Sequence, residues 1–459
     1  MVYFGTGSSF SDFYGGNREG KNLFANCIIA LEAETGKMKW YFQTIHHDLW
    51  DLDLPTPPNL TTINRNGEMI DVVVQTTKDG LIYILDRDTD NSVFSVEELP
   101  VLTDGLPEEH PWPFQKFPIK PLPFSSQTFR EDDITNISKE SRAYVKDLYN
   151  KFGSDHKFTL ASIKGTILHG YSGGEEWGGN AISPNGILYQ NSNNAPWILQ
   201  MVNAEDRDKE ASSLSSGNAL YLKNCAACHR EDRKGSGSQF PALEKIKIKF
   251  SKTEILSIIE TGTGRMPSFQ YIPEQDREAI SKYLLNTEDV KQSEIINEHD
   301  MPTPDEEMKN GVFGFEPEYV IKVGKRLTDQ DGYQGNKPPW GTLNAINLNT
   351  GNYLWSIPLG EYPELTERGI PITGTPNYGG PVATAGGIIL IAATKDERIR
   401  AFDKESGDML WEFQLPAGGF ASLITYEVKG KQFVVIAAGG ARGQKPGGYY
   451  VAFVLPDDQ

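Results

Sequence analysis

Cysteine is scarce in this chain: three residues in 459, Cys27, Cys225 and Cys228. That is too few for a disulfide-stapled fold. No apolar run approaches the ~18 residues that a membrane-spanning helix needs. Basic charge is in deficit, with 44 Lys and Arg against 62 Asp and Glu and a net charge of −18, which argues against a nucleic-acid partner. A leader is lacking too. "MVYFGTGSSF" passes from Met1 into the β-type run Val2-Tyr3-Phe4 with no basic n-region and no cleavage site, so an upstream part carrying earlier strands and an export signal is expected. Turn formers are plentiful. The 45 Gly and 28 Pro favour β structure over helical bundles, and 22 Phe, 19 Tyr and 8 Trp supply a sizeable core. The length predicts two domains or one large repeat domain.

A repeat is present. "ALEAETGKMKW" (30–40), "AINLNTGNYLW" (345–355) and "AFDKESGDMLW" (401–411) each place Ala first, Thr or Ser five residues on, Gly at six and Trp at ten. "ILDRDTDNSVF" (84–94) is a degenerate fourth copy with Phe in the Trp position. The pattern reads as a hairpin: an apolar strand, a turn needing positive φ, then a strand anchored by an aromatic ring. Neighbouring copies start 54 and 56 residues apart, the spacing of propeller blades with loops. "GGNAISPNGIL" (178–188) and "GGPVATAGGII" (379–389) form a second repeat type. The fold expected is an all-β propeller, in part, with blades over 1–204 and 293–459.

Between them, 205–292 carries helical spacing ("SSLSSGNALYLKNC", "EQDREAISKYLLN") and 14 charges of each sign, flanked by acidic linkers. It reads as an inserted all-α domain. Its "NCAACHR" holds Cys225-Ala-Ala-Cys228-His229, the pattern that bonds a haem covalently through two thiols on one helical turn and ligates its iron through the following imidazole. A zinc half-site is the competing reading, but zinc needs further Cys or His ligands and only His299 lies near. Met266, in the Gly-rich "TGTGRMPSF", would complete His/Met ligation suited to electron transfer. The segment resembles a class I cytochrome c. Haem attachment of this kind takes place outside the cytoplasmic membrane, so a periplasmic location is expected.

"QTIHHDLWDLDLPTPPNL" (43–60) gathers two histidines and three aspartates around a tryptophan. Together with "QTTKDGLIYILDRDTD", "EWGGNAISPNGILYQNSNNAPW", "PPWGTLNAINLNTG" and "LPAGGFASLITYEVKGKQFVVIAAGG", it resembles the pyrroloquinoline quinone (PQQ)-dependent dehydrogenases, glucose dehydrogenase branch. The resemblance implies that Asp51 is the catalytic base and that Lys78 bonds the quinone carbonyl. It places Asn191 near the cofactor and Trp177 where the family packs backbone against PQQ. It also implies a Ca²⁺ (or Mg²⁺), with Ser8 and Asp12 as candidate ligands in this chain, and further ligands in blades that precede it. Asp48 and Asp53 are read as structural, and Cys27 as buried core. The expected enzyme oxidises a sugar (aldose) or alcohol and passes electrons through haem c to a downstream cytochrome, quinone or oxidase. The rival is a non-catalytic propeller scaffold with an electron-transfer haem, which would need no base and lysine at matching positions.

Overall fold

The computed structural model describes residues 1–102, 105–153, 156–171, 173–207, 216–230, 232–235, 241–263, 266, 268–286, 317–440 and 446–455. The side chains of Lys223, Ala227 and Cys228 lie outside that description, as do His299 and the linker from 287 to 316. The chain divides into two compact units. One comprises Met1–Val202, Tyr319–Ala441 and Pro446–Gln459, the other Asn203–Glu318 and Arg442–Lys445.

The first unit is built of antiparallel sheets. β1 (Val2–Gly5), β2 (Cys27–Leu31) and β3 (Met38–Gln43) form one, and β4 (Asn59–Arg65), β5 (Glu68–Thr76) and β6 (Ile82–Asp86) the next. A hairpin of β7 (Val96–Pro100) and β8 (Phe114–Pro118) leads to α1 (Lys139–Phe152). α1 starts where the Ser138 side chain accepts from Ser141 N. β9 (Thr166–Leu168), β12 (Trp197–Asn203) and β13 (Tyr319–Arg326) make a sheet with β12 central. β10 (Ala181–Ile182), β11 (Ile187–Asn193), β14 (Gly341–Asn347) and β15 (Asn352–Pro358) make a four-stranded sheet, as do β16 (Val382–Ala383), β17 (Ile388–Ile391), β18 (Arg398–Asp403) and β19 (Met409–Gln414). β20 (Ile424–Val428), β21 (Lys431–Ala438) and β22 (Tyr449–Val454) form the last.

The repeat sets the register of three of these sheets. Ala30 faces Trp40, Ala345 faces Trp355 and Ala401 faces Trp411, and each ladder slips by one residue just after the alanine. The turn glycines Gly36, Gly351 and Gly407 take φ near +70°, open to glycine at little cost. The tryptophans then tie sheet to sheet. Trp40 Nε1 donates to Arg87 O at 3.0 Å and Trp355 Nε1 to Lys404 O at 3.1 Å, each carbonyl lying in the repeat turn of another sheet. A Cβ on Gly407 would stand 2.9 Å from the Trp355 ring, and one on Gly351 3.0 Å from the Phe94 ring. Glycine is required there because a ring lies on the turn. The degenerate copy makes a shorter hairpin: Asp86 N donates to Asn91 O and Val93 N to Ile84 O, both at 2.8 Å, around the single bridge Leu85–Ser92, with Asp90 at φ +59° where the other copies have Gly. The second repeat brings Gly178 and Gly379 face to face, where a Cβ on Gly178 would meet Gly379 backbone at 2.2 Å.

Apolar clusters fill the spaces between successive sheets. Ile28, Trp40, Val73 and Tyr83 join the first two; Val74, Ile84, Leu188 and Ile346 the next; Tyr189, Leu343, Ile389 and Phe402 the next; Ala392, Ile399, Leu423 and Ile436 the last. At ~25 cal/mol per Å² of apolar surface removed from water, such interfaces are the main cohesive force between sheets. The unit is a β-propeller in part. Cys27 is fully buried in β2, and burial pushes its thiol up to about 12, so it stays protonated core.

The second unit is helical: α2 (Ser216–Asn224), α3 (Ala226–His229), α4 (Lys252–Thr261) and α5 (Glu274–Leu285). α2 packs on α5 around Tyr221, Ile255, Ile259, Ile280 and Leu284. A capping box of Ser251 and Glu254 opens α4. Its polypeptide departs after β12 and returns before β13, strands that are hydrogen-bonded neighbours, and Ala204 N donates to Glu318 O at 2.8 Å. The short α6 (Pro363–Thr366) follows β15. Among the described residues no helix is long and apolar enough to cross a membrane.

Candidate active site

Two loops of adjoining sheets carry the central pair. Asp51 lies between β3 and β4, and Lys78 in the tight turn between β5 and β6. Asp48 shapes the first loop: its carboxylate accepts from Trp50 N at 2.9 Å, Leu52 N at 2.7 Å and Asn26 Nδ2 at 2.8 Å. Asp51 is held between those bonds at φ +58°, a left-handed conformation that a non-glycine residue keeps only when its surroundings impose it. The second loop is a turn closed by Gly80 N donating to Thr77 O at 2.9 Å, with Gly174 N donating to Lys78 O at 2.5 Å.

The two side chains meet. Lys78 Nζ is 2.8 Å from Asp51 Oδ2 and 3.0 Å from Asp53 Oδ1, with side-chain exposures of 14% for the lysine and 19% for Asp51. Asp53 therefore does more than the structural role read from sequence, because its carboxylate is a direct partner of the ammonium. Lys78 also lies over the Tyr171 ring, 5.7 Å from its centroid. Ser8 Oγ stands 3.4 Å from Asp51 Oδ1 and 3.3 Å from Asp12 Oδ1, so both candidate cation ligands reach the edge of the same site.

Burial pushes the Asp51 carboxyl up to about 6, against the attraction of Lys78 and with Asp12 and Asp53 adding repulsion. Burial works against the Lys78 charge, but Asp51 and Asp53 outweigh it and hold the ammonium above the ordinary lysine range. Burial raises Glu176 to about 7, with Lys78 and Arg326 opposing the rise and Asp53 and Asp51 adding to it. Glu175 beside it is pushed by burial to about 8. His46 and His47 are buried, and burial drives both imidazoles down, His46 to about 4. Sequence reasoning missed Tyr171, Glu175 and Glu176. Only the "EWGG" resemblance touched that segment, and nothing local marks Glu176 as a group in the field of Lys78.

Asn191 is buried on β11. Its Nδ2 donates to Asn377 Oδ1 at 2.7 Å and Gly379 O at 2.9 Å, while its Oδ1 is buried with no partner. Trp177 is 56% exposed, so its indole is not part of the buried cluster.

The residues fit a quinone at one point and a hard cation only in part. An ammonium has three donors, of which Asp51 takes one by hydrogen bond while Asp53 Oδ1 pairs with the charge at 3.0 Å, so Lys78 keeps donor capacity for a quinone oxygen. Ser8, Asp12 and Asp51 offer oxygen donors of the type Ca²⁺ takes, but three residues fall short of its usual six to eight oxygens. Among the described residues no group of three or more His, Cys, Asp or Glu side chains is arranged to hold a metal.

In the helical unit, His229 ends α3 and its Nδ1 is 3.0 Å from Pro241 O. A carbonyl only accepts, so Nδ1 donates to it. Cys225 caps α3, and both Cys225 and Met266 pack against the Tyr221–Ile255–Ile280 cluster, an apolar setting suited to a porphyrin. Met266 is held by paired backbone bonds with Thr263. The Cys228 side chain lies outside the described residues.

The family described as "Glucose/ethanol/alcohol dehydrogenase, beta-propeller domain", the PQQ family, matches residues 1–238 and 270–434. The chain belongs to that family. Residues 212–284 also match the family "Cytochrome C oxidase, cbb3-type, subunit III". Among curated relatives, quinoprotein glucose dehydrogenase of Escherichia coli (strain K12) is 28% identical over 100% of this chain and 48% of its own length. The glycerol dehydrogenase large subunit of Gluconobacter oxydans (strain 621H) is 27% identical over 96% of this chain and 50% of its own. The chain thus spans about half the length of the curated relatives it matches. The solved quinohemoprotein alcohol dehydrogenase from Comamonas testosteroni shares the fold at a TM-score of 0.50 and 17% identity, covering 98% of this chain and 46% of that one.

Proposed function

We propose that this chain supplies the base and the quinone-facing lysine of a PQQ-dependent dehydrogenase acting on a sugar or alcohol, with aldoses favoured, and that its helical unit carries a covalent haem c. The observation that carries the reading is the half-open ion pair of Asp51 and Lys78 at 2.8 Å, formed by loops of two sheets. When bound, PQQ with Ca²⁺ or Mg²⁺ supplies the hydride acceptor and the Lewis acid.

The protein's part is acid–base and electrostatic. With its carboxyl raised to about 6, Asp51 is still charged at neutral pH yet basic enough to take a hydroxyl proton. Lys78, kept protonated by Asp51 and Asp53, would hold a quinone oxygen and stabilise negative charge there. Ser8 and Asp12, whose oxygens lie 3.3 Å apart, would supply part of the divalent cation's oxygen ligands. The unpaired Oδ1 of Asn191 is assigned to the cofactor side, and the backbone after Trp177 to its packing. Cys225 and Cys228 would hold the haem through thioethers, and His229 and Met266 would supply the ligands to its iron. Electrons leave to a cytochrome, quinone or oxidase in the periplasm, and a further propeller portion, in keeping with the greater length of the relatives, completes the cofactor's surroundings.

The test is dye reduction by aldoses with the complete polypeptide loaded with PQQ and Ca²⁺, comparing Asp51→Asn with the parent. A fall of about 10²–10⁴ is expected for loss of a general base. Equal rates would leave the propeller a scaffold.

A further inference from the structure

Behind the Lys78 turn lies a second buried ion pair that the reaction does not use. Asp79 follows Lys78 and is 6% exposed; its Oδ2 is 2.7 Å from Nζ of Lys157, itself 11% exposed. Lys157 belongs to no sheet, since it comes from the segment after α1. Phe117 and Phe158 flank its ammonium at 5.5 and 5.2 Å, and Gln127 Oε1 accepts from it. Gln127 Nε2 donates to Asp79 O at 2.7 Å, and Thr77 Oγ1 donates to Asp79 Oδ1. Gly170, a close neighbour, would bring a Cβ within 3.3 Å of Asp79 Cβ. The titratable groups facing this pair are His169, held neutral at about 3 by burial and by Lys157, and Tyr83, raised by burial and by Asp79.

The Thr77–Gly80 turn is therefore gripped on both sides: Asp51 and Asp53 hold its lysine in front, and Lys157 and Gln127 hold its aspartate behind. A buried carboxylate stripped of its cation is costly, and the chain relieves it by admitting water or rearranging the turn. Because Lys78 is one residue away, its ammonium moves with the turn, and a misplacement of about 1 Å at a reacting group costs up to about 10² in rate.

We propose that Lys157 is a positioning residue that neutralises Asp79 from behind the turn and so presents Lys78 to Asp51 and to the quinone. The proposal rests on the reading of Lys78 as the quinone's partner. Lys157→Met keeps the aliphatic stem and removes the charge. In the complete PQQ-loaded protein it should lower kcat about tenfold or more with substrate KM unchanged, and raise the Kd for PQQ measured by direct titration. Lys157→Met with Asp79→Asn, which balances the charges, should restore both values, because replacing both partners of a buried pair is far less damaging than removing one.

The decisive comparison is a cycle with Lys78→Ala. If Lys157 acts through Lys78, Lys157→Met adds nothing to kcat or PQQ affinity in the Lys78→Ala background, whereas a purely packing role adds its full effect in both. Additive losses, or an unchanged Lys157→Met, overturn the proposal. A silent Lys78→Ala instead overturns the functional reading beneath it. If Lys157→Met does not fold, the charge-balanced double variant decides: parental kcat supports the proposal, and a tenfold loss defeats it.

Discussion

The two units organise their chemistry in opposite ways. In the helical unit the residues proposed to attach haem are contiguous, Cys225 to His229, and Met266 packs on the same apolar cluster as Cys225. In the propeller unit nothing contiguous suffices: Asp51, Lys78 and Tyr171 come from three connections and meet only because the sheets stack in one order. A local motif announces itself, whereas a constellation depends on everything that fixes the sheets. The first should fail completely when its few residues go, and the second by degrees.

The largest effect expected is on the contiguous side. Cys225→Ala with Cys228→Ala should abolish covalent haem, read as loss of haem staining on a denaturing gel, while the propeller still binds PQQ. Retained covalent haem would dissolve the contrast. Asp51→Asn comes next, with its fall of about 10²–10⁴ at unchanged haem content. Met266→Ala is milder: the haem stays attached, but the reduced iron gains an open position that binds carbon monoxide. An unaltered spectrum would reject Met266 as the ligand.

The smallest effect sharpens the propeller side. Burial raises the Glu175 carboxyl to about 8 from 4.5, so folding takes up a proton between those values. Its stabilising contribution is complete below about 4.5 and is lost as pH rises through about 8. Glu175→Gln stays neutral, so its Tm should fall less than the parent's between pH 5 and pH 8. Parallel curves would show that Glu175 is not the group responsible.

What could be read from the sequence follows the same division. The Ala-to-Trp spacing is a local consequence of hairpin geometry, and it emerges as an Ala–Trp register in three sheets. The segment Cys225–His229 is legible because its chemistry lies within one turn. Asp51 and Lys78 became visible only through family likeness, since no periodicity links residues 27 apart in different loops. Asp53 reads as scaffold in the sequence because its neighbour in space, Lys78, is remote along the chain. Lys157 had no signal at all: a lysine in a loop is ordinarily solvated, and only burial against Asp79 sets it apart. The degenerate copy at 84–94 keeps the turn but not the long ladder, its return strand pairing only across the Leu85–Ser92 bridge.

The doorway between Ala204 and Glu318, one hydrogen bond wide at 2.8 Å, has a genealogical consequence. A module whose two ends adjoin can be spliced into or out of a gene at a single seam without shifting the alignment of any blade. Under the proposed function, lineages are then free to change where electrons go without touching what is oxidised, and substrate choice and electron outlet become separately heritable traits.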